Sequence, residues 1–336
     1  MKSRKGILKG IFVSFLAVSA FAQDIHFSNP DQQPLYLNPG LAGMDATVQA
    51  NINFRRQWSS LPVPFTTSTV SVEGRFNEGS RGKGGIFAGG LLLSNDRAGS
   101  LNVVTNTAQM NLAYHLVVNR YTSIGFGFNA GFGQRSIDAT SGRWGSQYDG
   151  TAYNPSLIGG DSPSNPTFSY FDAGSGAALH YHPNNQFDLK AGLAVYHLNR
   201  PGYSFVTKDS AELSPRYSIF TTTDIAISGT RGAFQPAFYL QLQNKAFELI
   251  YGVSYQYLLT SGSRFTGRKR PASFSIGLFN RFKDALICRT QFEKDMYSLG
   301  FSYDVNISDL ISASNGRGGF ELYFRFRFDS GRVKRR

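Results

Sequence analysis

The feature that most constrains this chain is an alternation of apolar with polar or small residues that recurs along almost its whole length. Residues 247–259 show it best. Phe247, Leu249, Tyr251, Val253, Tyr255, Tyr257 and Leu259 make one face, and Glu248, Ile250, Gly252, Ser254, Gln256 and Leu258 make the other. A period of two is the signature of a β-strand, because successive side chains point to opposite faces. Strands of soluble sheets usually run to about five or six residues. About 9–11 tilted residues cross a bilayer, and this stretch is long enough to do so. Its aromatic-rich face suits a wall that meets lipid, with girdles at the two interfaces.

The pattern returns at residues 47–55, 66–76, 85–94, 104–118, 124–133, 167–181, 186–198, 217–227, 233–243, 272–282, 285–292, 297–304 and 320–328. In the last, Phe320, Leu322, Phe324, Phe326 and Phe328 alternate with Glu321, Tyr323, Arg325 and Arg327. With 247–259 this predicts about 14 strands, an even number as bacterial barrels require. Short connections near 119–120, 182–185 and 228–232 alternate with longer ones near 56–64, 95–102, 134–166 and 199–216, as periplasmic turns and extracellular loops do. The rule breaks late. The connection at 244–246 is short where a long one is due, and 261–271 is long where a short one is due. Either one strand is miscounted or the wall is lower on that side. A soluble sandwich or lipocalin-like barrel has shorter strands with the apolar face inward, and a soluble core built from the face carrying Gly, Asn, Gln, Arg and Ser would be full of unsatisfied polar groups. The expected fold is therefore all-β: a transmembrane antiparallel outer-membrane barrel spanning 45–328, with a polar lumen and apolar exterior.

The ends add detail. Lys2, Arg4, Lys5 and Lys9 precede an apolar run at 10–18, and Ala20-Phe21-Ala22 supplies a small-x-small cleavage pattern. This predicts a signal peptide over 1–22, cleaved after Ala22. Four basic residues leave with it, taking the formal net charge from +12 to +8. No later run is apolar and long enough for a transmembrane helix. Residues 23–44 hold three prolines and no period, so they read as an ordered N-terminal strap or plug. Residues 329–336 form a basic tail. Cys288 is the single cysteine, so no intrachain disulfide can form.

Chemistry is harder to find. His180 and His182 lie two apart on one strand face, a spacing that can chelate a metal, yet no third ligand sits close in sequence and the pair adjoins a turn. The other histidines are His26, His115 and His197. A Ser-His hydrolase of the outer-membrane phospholipase kind needs a pairing on neighbouring strands that no motif singles out. The Gly-rich runs at 82–85 and 316–319 lack the strand–loop–helix setting and GK[ST] ending of a phosphate loop, so they read as turns. The basic runs at 268–270 and 332–336 suit a solvated membrane rim or acidic head groups, and alternatively an acidic periplasmic protein. No cofactor, catalytic residue or metal site is expected, and nucleic acid is excluded as a partner for an exported, lipid-embedded chain.

The chain resembles the PorP/SprF family of Bacteroidota outer-membrane proteins, linked to the type IX secretion system. The resemblance begins at Gln23-Asp24 and at Tyr36-Leu37-Asn38-Pro39-Gly40-Leu41-Ala42-Gly43. It continues through Arg55-Arg56-Gln57-Trp58, Phe65-Thr66-Thr67, Asn95-Asp96-Arg97-Ala98-Gly99 and Val195-Tyr196-His197-Leu198-Asn199-Arg200-Pro201. Gly277-Leu278-Phe279-Asn280-Arg281, Gly300-Phe301-Ser302-Tyr303-Asp304, Ser308-Asp309-Leu310 and Gly318-Gly319-Phe320-Glu321-Leu322 complete an ordered series. Departures fall at Phe279-Asn280, where the family usually has aromatics, and at Gly319-Phe320, where it usually has Ser-His. The resemblance implies a non-enzymatic outer-membrane protein. It would serve secretion and cell-surface anchoring of a cargo with a type B C-terminal domain, such as a gliding adhesin. One branch instead connects to the periplasmic ring and peptidoglycan-binding components. The candidate partner-binding residues are Tyr36, Asn38 and Pro39 in the strap, with Asn95, Asp96, Arg97, His197, Asn199 and Arg200 at the expected outer rim. A passive or ligand-specific channel is the rival reading, and a bulky strap in the lumen argues against it.

Overall fold

The computed structural model describes residues 24–59, 63–77, 85–157, 159–160, 163, 165–205, 211–260, 271–308 and 316–329. The expected signal peptide, the basic run at 268–270, residues 82–84, Asp309-Leu310 and the tail from 330 lie outside them. Among the described residues fourteen strands close into one antiparallel barrel. They are β1 (Val48–Gln57), β2 (Phe65–Arg75), β3 (Ile86–Ala98), β4 (Val103–Asn119), β5 (Thr122–Ser136), β6 (Thr167–Asn184) and β7 (Phe187–Tyr196). The second half comprises β8 (Arg216–Ala226), β9 (Gly232–Gln243), β10 (Ala246–Thr260), β11 (Ala272–Arg281), β12 (Ala285–Lys294), β13 (Tyr297–Asn306) and β14 (Arg317–Phe328). Each strand pairs with its neighbours in the chain, and β1 pairs with β14 from Val48↔Phe328 to Gln57↔Gly319. Closure leaves no free edge.

The alternation maps onto the wall as expected. On β10, Phe247, Tyr251, Val253, Tyr255, Tyr257 and Leu259 face outward and are exposed, while Glu248 and Ile250 are buried in the lumen. The late irregularity in loop length is a property of the rim and not of the count. β9 and β10 join through residues 244–245 and β11 and β12 through 282–284, so this sector of the long-loop end is low. The longer connections of that end are 137–166 and 197–215. Residues 137–166 are not featureless, since they contain 3₁₀ turns at Ala139–Ser141 and Gly145–Gln147.

Two expectations need correction. β3 runs on to Ala98, so Asn95, Asp96 and Arg97 are strand residues and not a loop. Their composition suggests a turn, but Asn95 donates to Asn106 across the ladder at 2.7 Å and keeps the pairing going. The lumen is also not polar throughout. Phe220, Tyr239 and Ile250 are successive cross-strand partners on β8, β9 and β10. With Phe279 and Ile287 they make an internal apolar core against Leu37, Leu41 and Met44 of the N-terminal segment.

Candidate functional site

The N-terminal segment, residues 24–46, fills the middle of the barrel. Three prolines shape it. Pro30, Pro34 and Pro39 open a 3₁₀ turn (Pro30–Gln32), a single helical turn α1 (Pro34–Leu37) and a second 3₁₀ turn (Pro39–Leu41). Proline suits the first position of such turns, where its fixed φ is right and its missing N–H is not needed. Asn38 caps the last turn: its Oδ1 accepts from the Gly40 amide at 2.8 Å. Its Nδ2 donates to the carbonyls of Ala177 on β6 and Leu193 on β7, at 3.0 and 2.9 Å.

The Asn-Pro-Gly turn lies directly on the wall because that wall has no side chains there. A Cβ at Gly127 would fall 2.2 Å from the Pro39 carbonyl carbon, one at Gly125 2.3 Å from the Gly40 oxygen, and one at Gly176 2.3 Å from Asn38 Oδ1. These glycines of β5 and β6 form a seat that any larger residue would occupy itself.

The opposite wall holds the strap with charge. Arg55 of β1 pairs with Asp304 of β13 at 2.9 Å and with Glu321 of β14 at 3.4 Å. Arg281 of β11 pairs with the same Asp304 at 3.0 Å and with Glu248 of β10 at 3.2 Å. Ser28 of the strap sits at the centre. Its hydroxyl donates to Asp304 at 2.6 Å, its amide donates to Glu321 at 2.6 Å, and it also meets Arg55 and Arg289. Asn29 donates to Ser302 at 2.8 Å and to Glu321 at 3.2 Å. Asp304 and Glu321 are almost wholly buried. Such a network specifies one seat for the strap more than it adds net stability, because desolvation offsets much of the attraction.

Both ends of the strap are tied. Near its start Asp24 accepts from His197 Nε2 at 2.8 Å and pairs with Arg216 at 3.0 Å. The other ring nitrogen of His197 meets Asp172 at 2.9 Å. The Arg216 guanidinium lies over the rings of Tyr36 and Tyr196, 4.0 and 4.3 Å from their centroids. Burial disfavours the His197 imidazolium, but the Asp24 charge and the hydrogen bonds that the ring donates to Asp172 and Asp24 outweigh this and raise its pKa to about 9. Burial likewise opposes the Asp24 carboxylate, and His197 and Arg216 together hold it well below the ordinary range. Near the strap's end Arg75 donates to the carbonyls of Gly43 and Met44 at 2.7 and 2.8 Å, and the Gly43 amide donates to Glu73 at 2.9 Å.

Among the described residues, the strap lies between two larger chambers of the lumen that share no lining residue. One, about 540 Å³, lies toward the end bearing the β6–β7 turn and is lined by Asp188, Asp224, Arg289, Glu293 and Arg325, among others. The other, about 150 Å³, lies at the long-loop end beneath Tyr170 and Tyr203, with Ile25 and Tyr36 of the strap as part of its lining.

The predicted partner-binding residues do not form one surface. Tyr36, Asn38 and Pro39 are buried in the lumen, where they seat the strap. Along β3, Asp96 lines the smaller chamber and accepts from Thr67 at 2.6 Å, while Arg97 is exposed. His197 belongs to the latch on Asp24. Asn199 bonds the backbone of Phe171 and Ala173 at 2.6 and 3.1 Å, and Arg200 is exposed beside it. His180 and His182 both reach the Asp188 carboxylate, at 2.9 and 3.2 Å. The residues the sequence reading missed are Ser28, Arg55, Glu248, Arg281, Asp304 and Glu321. For the five charged ones the available signal was charge on the inward face of long amphipathic strands, and Ser28 of the strap carried none.

A closed fourteen-stranded barrel with an apolar exterior and a filled lumen defines the class: an outer-membrane β-barrel. The family model for the type IX secretion system membrane protein PorP/SprF matches residues 19–326. The chain belongs to that family, which is a family of secretion-system membrane barrels and not of enzymes. No curated protein matches the sequence. Among solved structures the chain is similar to the Ralstonia pickettii toluene transporter TbuX, with 9% identity, TM-score 0.49, and 88% of this chain and 93% of that one covered. It is similar too to the P. putida toluene transporter TodX, with 10% identity, TM-score 0.47, and 87% and 93% covered. The CymD monoaromatic hydrocarbon channel shows 11% identity, TM-score 0.47, and 89% and 93% covered. What those proteins transport is a property of those proteins.

Proposed function

We propose that this protein is a plugged barrel that serves as the outer-membrane partner of a secreted cargo protein. The cargo carries a type B C-terminal domain, as a gliding adhesin does, and is retained at the cell surface. The observation that supports this most is the strap: its seat, its buried charge network and its two ties take up the space a conducting pore would need. In this reading a signal peptide cleaved after Ala22 exports the chain, residues 23–44 act as the plug, 45–328 as the barrel and 329–336 as a basic tail. Arg97, Asn199 and Arg200 stand exposed at the long-loop end and are the residues to meet cargo. Tyr36, Asn38, Pro39 and His197 act indirectly, by fixing the strap beneath it, and Asn95 and Asp96 by keeping β3 paired up to the rim.

The test is affinity capture of the tagged protein from detergent-solubilised outer membranes. Recovery of a large surface protein through its C-terminal domain is expected. Recovery of periplasmic ring or peptidoglycan-binding proteins instead would assign a structural role linking the machinery to the cell wall. A clean monomer that conducts would overturn the anchor reading in favour of a channel.

A further inference from the structure

Most inward arginines of this barrel have carboxylate partners among the described residues. Arg55, Arg216, Arg281, Arg289 and Arg325 each pair with an Asp or Glu. Arg135 of β5 enters no ion pair among the described residues. It stands in an inward row, cross-strand to Thr105 and Phe168, and lines the smaller chamber at the long-loop end. Its guanidinium lies 4.7 Å from the Tyr203 ring centroid and 5.8 Å from that of Phe205, and it bonds the Tyr203 hydroxyl. Its Nε is buried with no acceptor, as are those of Arg55, Arg289 and Arg325, but unlike them Arg135 has no carboxylate on its terminal nitrogens either. On the same chamber Gln109 Oε1 is buried with no donor. Of the chamber's own acids, Asp24 and Asp172 are paired with His197, and Asp96 accepts from Thr67 and feels the Arg135 charge without forming an ion pair with it.

A buried, unpaired donor on a cation is costly, and such groups call for a partner. Cation–π contact with two rings compensates the charge in part but leaves the Nε proton unused. A carboxylate is the group that matches the guanidinium fork and its charge together. The chamber is about 150 Å³, well below the ~300–1,000 Å³ of a small-molecule pocket. It has room for one side chain or one chain end. Arg135 is only half-buried, which leaves a ligand a way in.

We propose that the Arg135 chamber is a receptor for a single carboxylate, presented by a polypeptide partner at the long-loop end either as an acidic side chain or as a free C-terminus. This rests on the cargo-partner reading for its physiological source, but the test needs no cargo, so the two can fail separately.

The experiment titrates the purified, detergent-solubilised full-length protein with three probes: acetyl-Ala-Ala with a free carboxylate, acetyl-Ala-Ala-amide, and acetyl-Ala-Glu-amide. Binding is followed by ligand-observed NMR. At least one carboxylate probe is expected to bind saturably and the neutral amide to bind at least tenfold more weakly. The free acid winning assigns a chain end, and the Glu peptide winning assigns an acidic side chain. Arg135→Gln should weaken the better probe at least tenfold, and Arg135→Lys should restore part of that loss. Heat-modifiable gel mobility checks that each variant remains a closed barrel. Equal binding of the amide, no saturable binding by any probe, or an Arg135→Gln variant that binds as well as the native protein would each overturn the proposal.

Discussion

Two sides of the barrel hold the same strap by different physics. On β5 and β6 the wall withdraws its side chains, so the Asn-Pro-Gly turn lies on bare backbone and is held by shape and by two hydrogen bonds that Asn38 donates to the wall. On β1, β11, β13 and β14 the wall reaches inward with long charged side chains that converge on Ser28 and Asn29. The first side tolerates no added atoms but is indifferent to charge. The second tolerates small steric change but not the loss of one charge. Together they fix position and register of a segment with little regular structure of its own.

The comparison breaks most readily on the charged side. Asp304→Asn leaves Arg55 and Arg281 in a buried site with one neutralised partner, and breaking such a pair costs about 3–5 kcal/mol. Hydrogen exchange at the Ser28 and Asn29 amides should rise by several hundredfold or more while β1–β14 pairing persists. Little change in exchange would mean the network is incidental. On the glycine side, Gly127→Val places a Cβ inside the Pro39 carbonyl. Overpacking of this kind costs about 1–3 kcal/mol, and protection should fall at Leu41 and Ala42 before it falls at Ser28. Simultaneous loss at both would show that the two sides act as one unit.

The latch at Asp24 sharpens the comparison by pH. His197 has a raised pKa, so its contribution is whole below its ordinary value of 6.5 and is lost as pH rises through about 9. Asp24 has a lowered pKa, so its contribution is whole above 3.8 and is lost only in strong acid. The start of the strap should therefore loosen above about pH 9, while the Asn38 seat, held by the Asn38 amide and by shape, stays closed. A loss of about 2 kcal/mol is expected for a charged hydrogen bond of this kind. His197→Gln should abolish the pH step when Asp24-end mobility is followed by a spin label at Ile25. The smallest effect is Asn38→Ala, about 1 kcal/mol from a lost cap and two lost donors. It should appear as modestly faster exchange at Gly40 alone.

The wall was readable from sequence because a period of two states both strand and facing, and that rule needs no distant residue. Fourteen strands and the outward Phe and Tyr follow from it. What lay inside was less readable. The inward glycines of β5 were visible as a small face, but only the fold shows that they leave room for Pro39 and Gly40. Glu321 and Asp304 were visible as inward polar residues, but their partner Ser28 lies more than 270 positions away, and no local pattern records such a contact. Asn95, Asp96 and Arg97 misled because their composition favours a turn, whereas cross-strand pairing to Asn106, Thr105 and Val104 extends the strand. Phe220, Tyr239, Ile250, Phe279 and Ile287 interrupt the polar inward face with an apolar core, and the alternation alone gave no reason for them.

The central claim is that the strap closes the lumen, and planar-bilayer conductance tests it most directly. The native protein should insert without steady ohmic conductance, and a variant combining Asp304→Asn with Gly127→Val should show discrete openings as the strap leaves its seat. Steady conductance from the native protein, unchanged in that variant, would contradict the account.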